Sequence, residues 1–523
     1  MLLLEGTSLR YFIHEHLSLQ INSLQVHDGQ RIGLVGRNGC GKTTLLHIIA
    51  GELLADEGTI APSTFVKLVP QLKRTDTTKS GGEITQEYLQ DAFNSEAGLL
   101  LLDEPTTNLD ESHIEWLEKE LQSFQGGLIV VSHDRVFLDQ LCTEIWELDD
   151  GRITIYTGNY SDYAQQKELE KNEQQLAYEK YEKEKQQLRE AIRKKEERAQ
   201  RATKKPKHLG ASDARQKGAK PYYANKQKKL RKTASAFETR LEKLEKVKKP
   251  KELPNIKMDM LQKEPLHHHI VLRTEQMKAE VGNRRLWKPV DFHLRNGEKL
   301  AIIGKNGVGK TTLLKKILHD DKEIIRSRAI KIGYFAQNLT ILDGEKTILE
   351  NVQSSSEQNE TFIRTVLARM HFFNDDVHKK VNMLSGGEKV KVSLSKIILS
   401  EANLLILDEP TNYLDIASLE ALETLLTDYV GAVIFVTHDR MFVRNVATKI
   451  LEIKNKHIRI FDGTYEEYEK QQIPSQEKGN EDELLLLETK IADIISRLSI
   501  DPSEALEQEF KNLLEEKRRM NKN

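Results

Sequence analysis

Gly36-Arg37-Asn38-Gly39-Cys40-Gly41-Lys42-Thr43-Thr44 returns further along the chain as Gly304-Lys305-Asn306-Gly307-Val308-Gly309-Lys310-Thr311-Thr312. Each copy follows an apolar β-type run, Arg31–Val35 or Lys299–Ile303, and leads into a helical pattern, Leu45–Ala50 or Leu313–Leu318. A glycine loop between strand and helix turns backbone N–H groups toward phosphate oxygens, and the helix behind it adds the positive end of its dipole. Lys42 and Lys310 are placed to neutralise phosphate charge, and the Thr43 and Thr311 hydroxyls to ligate Mg²⁺. Gly36, Asn38, Gly39, Gly41 and Thr44 line the first loop; Gly304, Asn306, Gly307, Gly309 and Thr312 line the second.

The repetition continues in the same order. Ser80-Gly81-Gly82-Glu83 matches Ser385-Gly386-Gly387-Glu388, Leu101–Pro105 matches Ile406–Pro410, and Val131–Arg135 matches Val436–Arg440. One module has been written twice. Alternating apolar strands and helical patterns predict a parallel sheet in an α/β fold.

Asp103 and Asp408 close apolar strands, where a carboxylate is costly unless it faces something positive. Holding Mg²⁺ is the reason in this class of NTPase. Glu104 and Glu409 follow and are candidate general bases for the attacking water. His133 and His438 end short apolar runs; an isolated histidine there is usually structural, but its repetition favours a γ-phosphate contact. Gln71 and Gln337 are candidate ligands of Mg²⁺ or its water.

This motif set resembles the ATP-binding cassette (ABC) family: Walker A, glutamine loop, signature, Walker B with its glutamate, and histidine switch. The resemblance covers both repeats and implies head-to-tail pairing of the modules within one monomeric chain, with two ATP molecules between them. Lys42, Asp103 and Glu104 would work with Ser385–Glu388, and Lys310, Asp408 and Glu409 with Ser80–Glu83. Two departures stand out. Lys79 occupies the place of the usual Leu before the first signature, and the adenine-stacking aromatic, Tyr11 or Phe12 in module one, has no match around Val281-Gly282.

Ser80 follows Gln71 by 9 positions, whereas Ser385 follows Gln337 by 48. Almost the whole helical subdomain is therefore expected to be missing from module one. In transporters that subdomain docks on the membrane partner, so a transport motor is disfavoured. Of the 523 residues, 79 are Lys or Arg and 81 Asp or Glu, so the chain as a whole is not basic. Only Cys40 and Cys142 are present, which fits a reducing cytosol. No apolar run approaches the ~18 residues of a membrane span, and no membrane partner is expected.

Between the modules the chain turns rich in Lys, Glu and Gln. Leu230, Ala234, Phe237, Leu241 and Leu244 alternate at spacings of four and three, a coiled-coil seam, and Leu169, Leu176, Leu188 and Ile192 give a looser matching stripe. The break lies between Pro206 and Pro221, so two long antiparallel helices are expected. Between Ala191 and Lys232 there are 16 basic residues against 3 acids. A solvated face would be served equally by mixed charge; a one-signed run points to a polyanion. At the tip, Lys204, Lys205, Lys207, Ser212, Arg215, Lys217 and Lys220 are candidates for backbone contact, and His208, Tyr222 and Tyr223 for stacking on unpaired bases.

The tandem cassettes, the Tyr156–Tyr163 ending and the basic helical linker together resemble the ABC-F group of ribosome-binding ATPases. Within it the chain is similar to the Vga/Lsa-type antibiotic-resistance proteins. The resemblance implies a cytoplasmic, ribosome-associated ATPase bound at the exit site of the bacterial 70S ribosome. Its linker would pass P-site tRNA toward the peptidyl-transferase centre and dislodge streptogramin A, lincosamide or pleuromutilin drugs from large-subunit rRNA. The alternative is a housekeeping translation factor at the same site without drug specificity; a nucleic-acid scaffold in which ATP only gates closure is a third reading. The expected architecture is α/β: two tandem ABC-type P-loop ATPase domains (1–160 and 258–470), an antiparallel helical hairpin linker (161–257) and a helical C-terminal extension (471–523).

Overall fold

The computed structural model describes the chain except for residues 14–15, 72–80, 108, 202–218, 248–269, 283, 320, 337–340 and 473–523. The first half opens with β1 (Leu2–Ile13), β2 (His16–His27), β3 (Arg31–Val35), α1 (Lys42–Ile49), β4 (Glu57–Pro62) and β5 (Val66–Val69). It continues with α2 (Gly81–Phe93), β6 (Leu99–Asp103), α3 (Glu111–Ser123), β7 (Gly127–Val131), α4 (Arg135–Leu141), β8 (Glu144–Asp149) and β9 (Arg152–Thr157). Two long helices follow, α5 (Tyr160–Arg201) and α6 (Ala219–Glu242).

The second half begins with β10 (Ile270–Thr274), β11 (Met277–Val281), β12 (Arg284–Val290), β13 (His293–Arg295), β14 (Lys299–Gly304) and α7 (Lys310–Leu318). Next come β15 (Ile324–Arg326), β16 (Ile332–Phe335), α8 (Ile348–Gln353), α9 (Glu360–Arg369) and α10 (Gly386–Ile398). It closes with β17 (Leu404–Asp408), α11 (Ile416–Asp428), β18 (Ala432–Val436), α12 (Arg440–Val446), β19 (Lys449–Lys454), β20 (His457–Asp462) and α13 (Tyr465–Gln472).

Each half is built on a sheet of the same order, β5-β6-β7-β3-β8-β9 and β16-β17-β18-β14-β19-β20 among the described residues. All pairs are parallel except the closing hairpins β8–β9 and β19–β20. The central strands are buried along their length, which is why Leu99-Leu100-Leu101-Leu102 and Leu404-Leu405-Ile406-Leu407 are unbroken apolar runs rather than alternating ones. Their side chains divide between two apolar layers. Leu100 and Leu102 enter the layer with α3 and α4; Leu99 and Leu101 enter the one with α1.

The halves differ where the motif spacing says they should. The second carries α8 and α9, whose Ile348, Val352, Ile363, Val366 and Leu367 join a large cluster with α10 and α11. In the first, only residues 70–80 separate β5 from α2. Thr347 opens α8 with a reciprocal capping box to Glu350, and Asn359 caps α9.

Helices α5 and α6 lie side by side, with Leu188, Ala199 and Ala234 buried between them and Arg240 donating to Glu184 at 2.9 Å. The expected seam matches the exposure pattern along α6, where Leu230, Phe237 and Leu241 are half-buried and Ala234 is buried, and Leu244 is half-buried just past its end. The α5 stripe is corrected. Leu169 and Leu176 are 63% and 56% exposed, because α5 is 42 residues long against 24 for α6. The base of α5 is fixed to the first sheet through Glu147 on β8, which accepts from the Tyr163 hydroxyl at 3.0 Å and from Lys167 at 2.7 Å. The apolar positions predicted for the C-terminal extension lie outside the described residues.

Candidate functional site

Two sites lie where the halves meet, each assembled from both. The phosphate loops come first. Gly36 and Gly304 have φ of 153° and 147°, and a side chain there would run into the Leu148 and Ile453 carbonyl oxygens at 2.5 and 2.7 Å. Gly41 and Gly309 open α1 and α7 at φ near 105° with no side-chain cap, leaving the helix-end N–H groups for the loop's ligand. Lys42 Nζ donates to the carbonyls of Gly36 and Arg37 at 2.8 and 3.0 Å, and Lys310 Nζ to that of Gly304 at 2.7 Å. Both ammonium groups are buried over their own loops.

The carboxylates converge on the same spot. The Thr43 hydroxyl donates to Asp103 Oδ2 at 2.7 Å, and burial raises the Asp103 carboxyl against the pull of Thr43 and Lys42. Burial lifts Glu104 further, to about 8, with Lys42 opposing and Asp103 reinforcing the shift. Its Oε1 has no hydrogen-bond donor. Glu104 and Glu409 both adopt φ of 52°, a left-handed conformation that is unfavourable for glutamate and recurs in both halves. Each is pinned there by its backbone N–H, which donates to Val131 or Val436.

His133 and His438 face these glutamates at 3.2 and 3.4 Å. Burial and the neighbouring lysines push both rings down to about 3, so they are neutral. His133 Nε2 lies 3.2 Å from Asn38 Oδ1, and His438 Nε2 lies 3.1 Å from Asn306 Oδ1 and from Lys310 Nζ. The neutral ring serves one of those two partners at a time.

The opposite half completes each site. Asp415, N-cap of α11, accepts from the Asn38 backbone N–H at 3.0 Å, and Asn38 Nδ2 donates to the Tyr413 carbonyl at 2.8 Å. Asp110, N-cap of α3, accepts from the Asn306 N–H at 3.0 Å. Signature residue Gly387 abuts Asn38, since a Cβ there would lie 3.1 Å from its Nδ2 and 2.8 Å from the Tyr413 carbonyl. The expected head-to-tail arrangement is thus present as direct contact. Ser385 and Glu388 form the capping box that starts α10.

Of the predicted residues, Gly81, Gly82 and Glu83 begin α2, and Gln71 is exposed just after β5. Tyr11 on β1 pairs with Leu19, the residue that touches Gly41. Ser80, Gln337, Lys204, Lys205, Lys207, His208, Ser212, Arg215 and Lys217 lie outside the described residues, while Lys220, Tyr222 and Tyr223 fall in the first turns of α6. Sequence reasoning missed Asp110 and Asp415, and also Arg135 with Glu423, which join α4 of one half to α11 of the other. Their signal was available: each recurs in the second copy at the spacing that relates the two Walker B motifs.

Comparison with known proteins bears on the same residues. The ABC transporter family pattern matches residues 19–73 and 287–412, and a second ABC transporter pattern matches 146–231. The chain is 34% identical over 474 residues to the erythromycin resistance ATP-binding protein MsrA of Staphylococcus epidermidis, covering 84% of this chain and 95% of that one. It is 31% identical over 525 residues to the ribosome protection protein VmlR of Bacillus subtilis, covering 94% and 93%. Among solved structures, the archaeal ribosome recycling factor aABCE1, in complex with ribosomal stalk protein aP1, superposes with a TM-score of 0.57 at 17% identity, over 87% of this chain and 89% of that one. That likeness establishes the fold of tandem cassettes. The sequence relationships and the two composite sites establish that the chain belongs to the ABC-F family of ATPases.

Proposed function

We propose that the chain is a ribosome-protection ATPase: it binds the exit site of the bacterial ribosome, and its linker helices dislodge antibiotics from the peptidyl-transferase region. The observation that carries the reading is the pair of cross-module bonds, Asp415 to Asn38 and Asp110 to Asn306. They make closure of the cassettes depend on the loops that hold nucleotide, while the base of α5 is fixed to the first cassette by Glu147. Nucleotide state thereby reaches the linker through rigid packing. Similarity to MsrA and VmlR, whose names state erythromycin resistance and ribosome protection, supports the direction of the proposal.

The donor set fits a Mg²⁺ ion accompanying ATP. No group of three or more His, Cys, Asp or Glu side chains among the described residues could hold a metal alone, and Mg²⁺ prefers one or two protein oxygens plus phosphate and water. Thr43 with Asp103 at one site, and Thr311 with Asp408 at the other, would each hold such an ion, with Gln71 and Gln337 as the expected further ligands. Bound there, the ion would offset negative charge on the terminal phosphates. Glu104 and Glu409, in their ionised forms, would take the proton of the attacking water, and His133 and His438 would hold the γ-phosphate. The signature of the opposite cassette would close over it.

Binding would occur in the cytoplasm on 70S particles, the basic tip meeting large-subunit rRNA beside P-site tRNA. No helix among the described residues is long and apolar enough to cross a membrane. The test is drug susceptibility of a sensitive host expressing the chain. Protection against at least one of streptogramin A, lincosamide or pleuromutilin compounds is expected, and it should vanish when residues 206–221 are shortened. Unchanged sensitivity to all three classes would favour the housekeeping alternative.

A further inference from the structure

Arg135 and Glu423 come from different cassettes, and both are buried, at 6% and 9% side-chain exposure. The Arg135 guanidinium donates to both oxygens of Glu423 through its two terminal nitrogens, and Asn445 donates to Glu423 Oε2 at 2.9 Å. The equivalent pair across the pseudo-two-fold axis is Arg440 and Glu118. It is slack: Arg440 stands 3.3, 3.7 and 3.9 Å from Glu111, Glu115 and Glu118, and its Nη2 makes no hydrogen bond, although Nε lacks one in both arginines and Gln140 donates to Glu118 as Asn445 does to Glu423.

Each pair belongs to one ATP site. Arg135 follows His133 by two positions, and Glu423 lies on the helix that Asp415 caps, so this pair fastens the two elements that close the Lys42 site. Arg440 and Glu118 hold the corresponding place at the Lys310 site. A second difference points the same way. Asp415 is gripped by the buried ammonium of Lys391 at 3.3 Å, from the signature helix α10. Module one has Gln86 at that position, and Asp110 instead meets His113 Nδ1 at 2.6 Å, a ring that is one-third exposed.

We propose that the Arg135–Glu423 pair is a latch that keeps the Lys42 site shut and acts as the pivot of the clamp, so that the Lys310 site is the gate through which nucleotide exchanges. Arg135 and Glu423 are positioning residues here; they act on nucleotide through His133 and Asp415. The buried Tyr160, first residue of α5, faces Glu420, Arg135, Glu423 and Asp439, which sets the root of the linker on the pivot side. Its counterpart Tyr465, opening α13, faces Glu111, Glu469, Arg440 and Arg444 on the gate side.

The proposal rests on the ATPase reading, but its test needs neither ribosome nor drug, so failure of one leaves the other standing. Purified full-length chain is loaded with a fluorescent ADP analogue and chased with excess ADP. Two release phases of equal amplitude are expected, about tenfold or more apart, the slow one absent from Lys42→Ala and the fast one from Lys310→Ala. Replacing the latch by Arg135→Met with Glu423→Met should accelerate the slow phase about tenfold and leave the fast phase as the sign that the chain is folded. The swap Arg135→Glu with Glu423→Arg should restore slow release. A single release rate in the unmodified chain, or a slow phase assigned to the Lys310 site, overturns the proposal whatever the latch variants do. A slow phase indifferent to the latch overturns it as well.

Discussion

Asp415 accepts the backbone N–H of Asn38 at 3.0 Å although 377 positions separate them. Burial alone would raise this carboxyl, but Lys391, the Asn38 amide and Ser418 carry it well below the ordinary carboxylate range. The same holds for Asp110, where hydrogen bonds from Asn306, Ser112 and His113 outweigh burial. Both aspartates are therefore fixed anions, each tied to a phosphate loop it does not belong to. Each also caps its own helix, so one side chain serves local folding and cassette closure together.

That dual use defines the first prediction. Asp415→Asn keeps an N-cap, since Asn caps as well as Asp, but removes the charge. A charge-assisted hydrogen bond contributes about 1.5–3 kcal/mol, so ATP turnover should fall roughly 10- to 100-fold in kcat with little change in KM. Steady-state kinetics on Asp415→Asn and Asp110→Asn check it. Unaltered kcat in both variants would mean that the bonds do not contribute to the closed, reactive state.

Lys391 and His113 should differ sharply in their effect on stability. Lys391 and Asp415 are 8% and 3% exposed, and removing one partner of a buried pair costs about 3–5 kcal/mol. Lys391→Met should therefore lower the thermal midpoint by several degrees. His113 is one-third exposed, and module two carries Ser418 at the same place. His113→Ser should cost about 1 kcal/mol or less. Thermal unfolding of the two variants decides between them.

What the sequence made legible follows from how narrowly chemistry restricts residue choice. Phosphate loops, strand-end carboxylates and the histidines allow few substitutes, and their repetition placed both sheets and both sites. Asp110 and Asp415 escaped notice because an Asp before an apolar helix reads as an ordinary cap, which each of them also is. Arg135 and Glu423 look like surface charges on amphipathic helices until the opposite cassette covers them. Leu169 and Leu176 carried the right spacing for a helical seam, yet α6 is too short to cover the root of α5, so they stand exposed. Spacing reports a stripe; only packing reports whether anything lies against it.

The linker helices should be separable from the engine. Leu188 is 7% exposed between α5 and α6, and Ala234 is 4% exposed. Leu188→Asn places an amide in that contact and loses burial, about 2–4 kcal/mol together, whereas the cassette cores touch neither residue. Basal ATPase activity should remain within about twofold while helicity of the linker falls. Hydrogen exchange along residues 180–200 and 225–240 provides the readout, and exchange as slow as in the parent chain would contradict the packing assigned to Leu188.

Replacing both Glu104 and Glu409 with Gln should trap the closed state. The substitutions keep size and hydrogen-bonding capacity but remove the acceptor of the water's proton. ATP hydrolysis should drop at least about 100-fold, while ATP-dependent co-sedimentation with 70S ribosomes should rise above that of the parent chain. Co-sedimentation no better than the parent with ATP would separate hydrolysis from release and remove the gating step from the proposed function.

Asp439 gives the cassette contact a pH dependence with a definite sign. Burial raises its carboxyl to about 7, with Asp134 and Glu423 adding to the shift, while Arg135 and the Phe442 amide oppose it. A carboxyl raised in the folded chain stays protonated after its unfolded counterpart has ionised. Between about pH 4 and pH 7 the folded state thus binds the extra proton, and stability falls as pH rises through that window and levels above it. Asp110 and Asp415 act with the opposite sign but titrate only below the window. The neutral His133 and His438 oppose Asp439 between about pH 3 and 6.5, and Glu104, raised to about 8, adds to it. The thermal midpoint should be higher at pH 6 than at pH 8, Asp439 contributing about 2–4 °C of the difference. Asp439→Asn keeps the cap of α12 and should remove that share, so variant and parent converge only below about pH 4, and the lead of the variant grows through the window, larger at pH 8 than at pH 6. A difference between them that does not change with pH would show that Asp439 is ionised throughout, with Arg135 holding its charge in place.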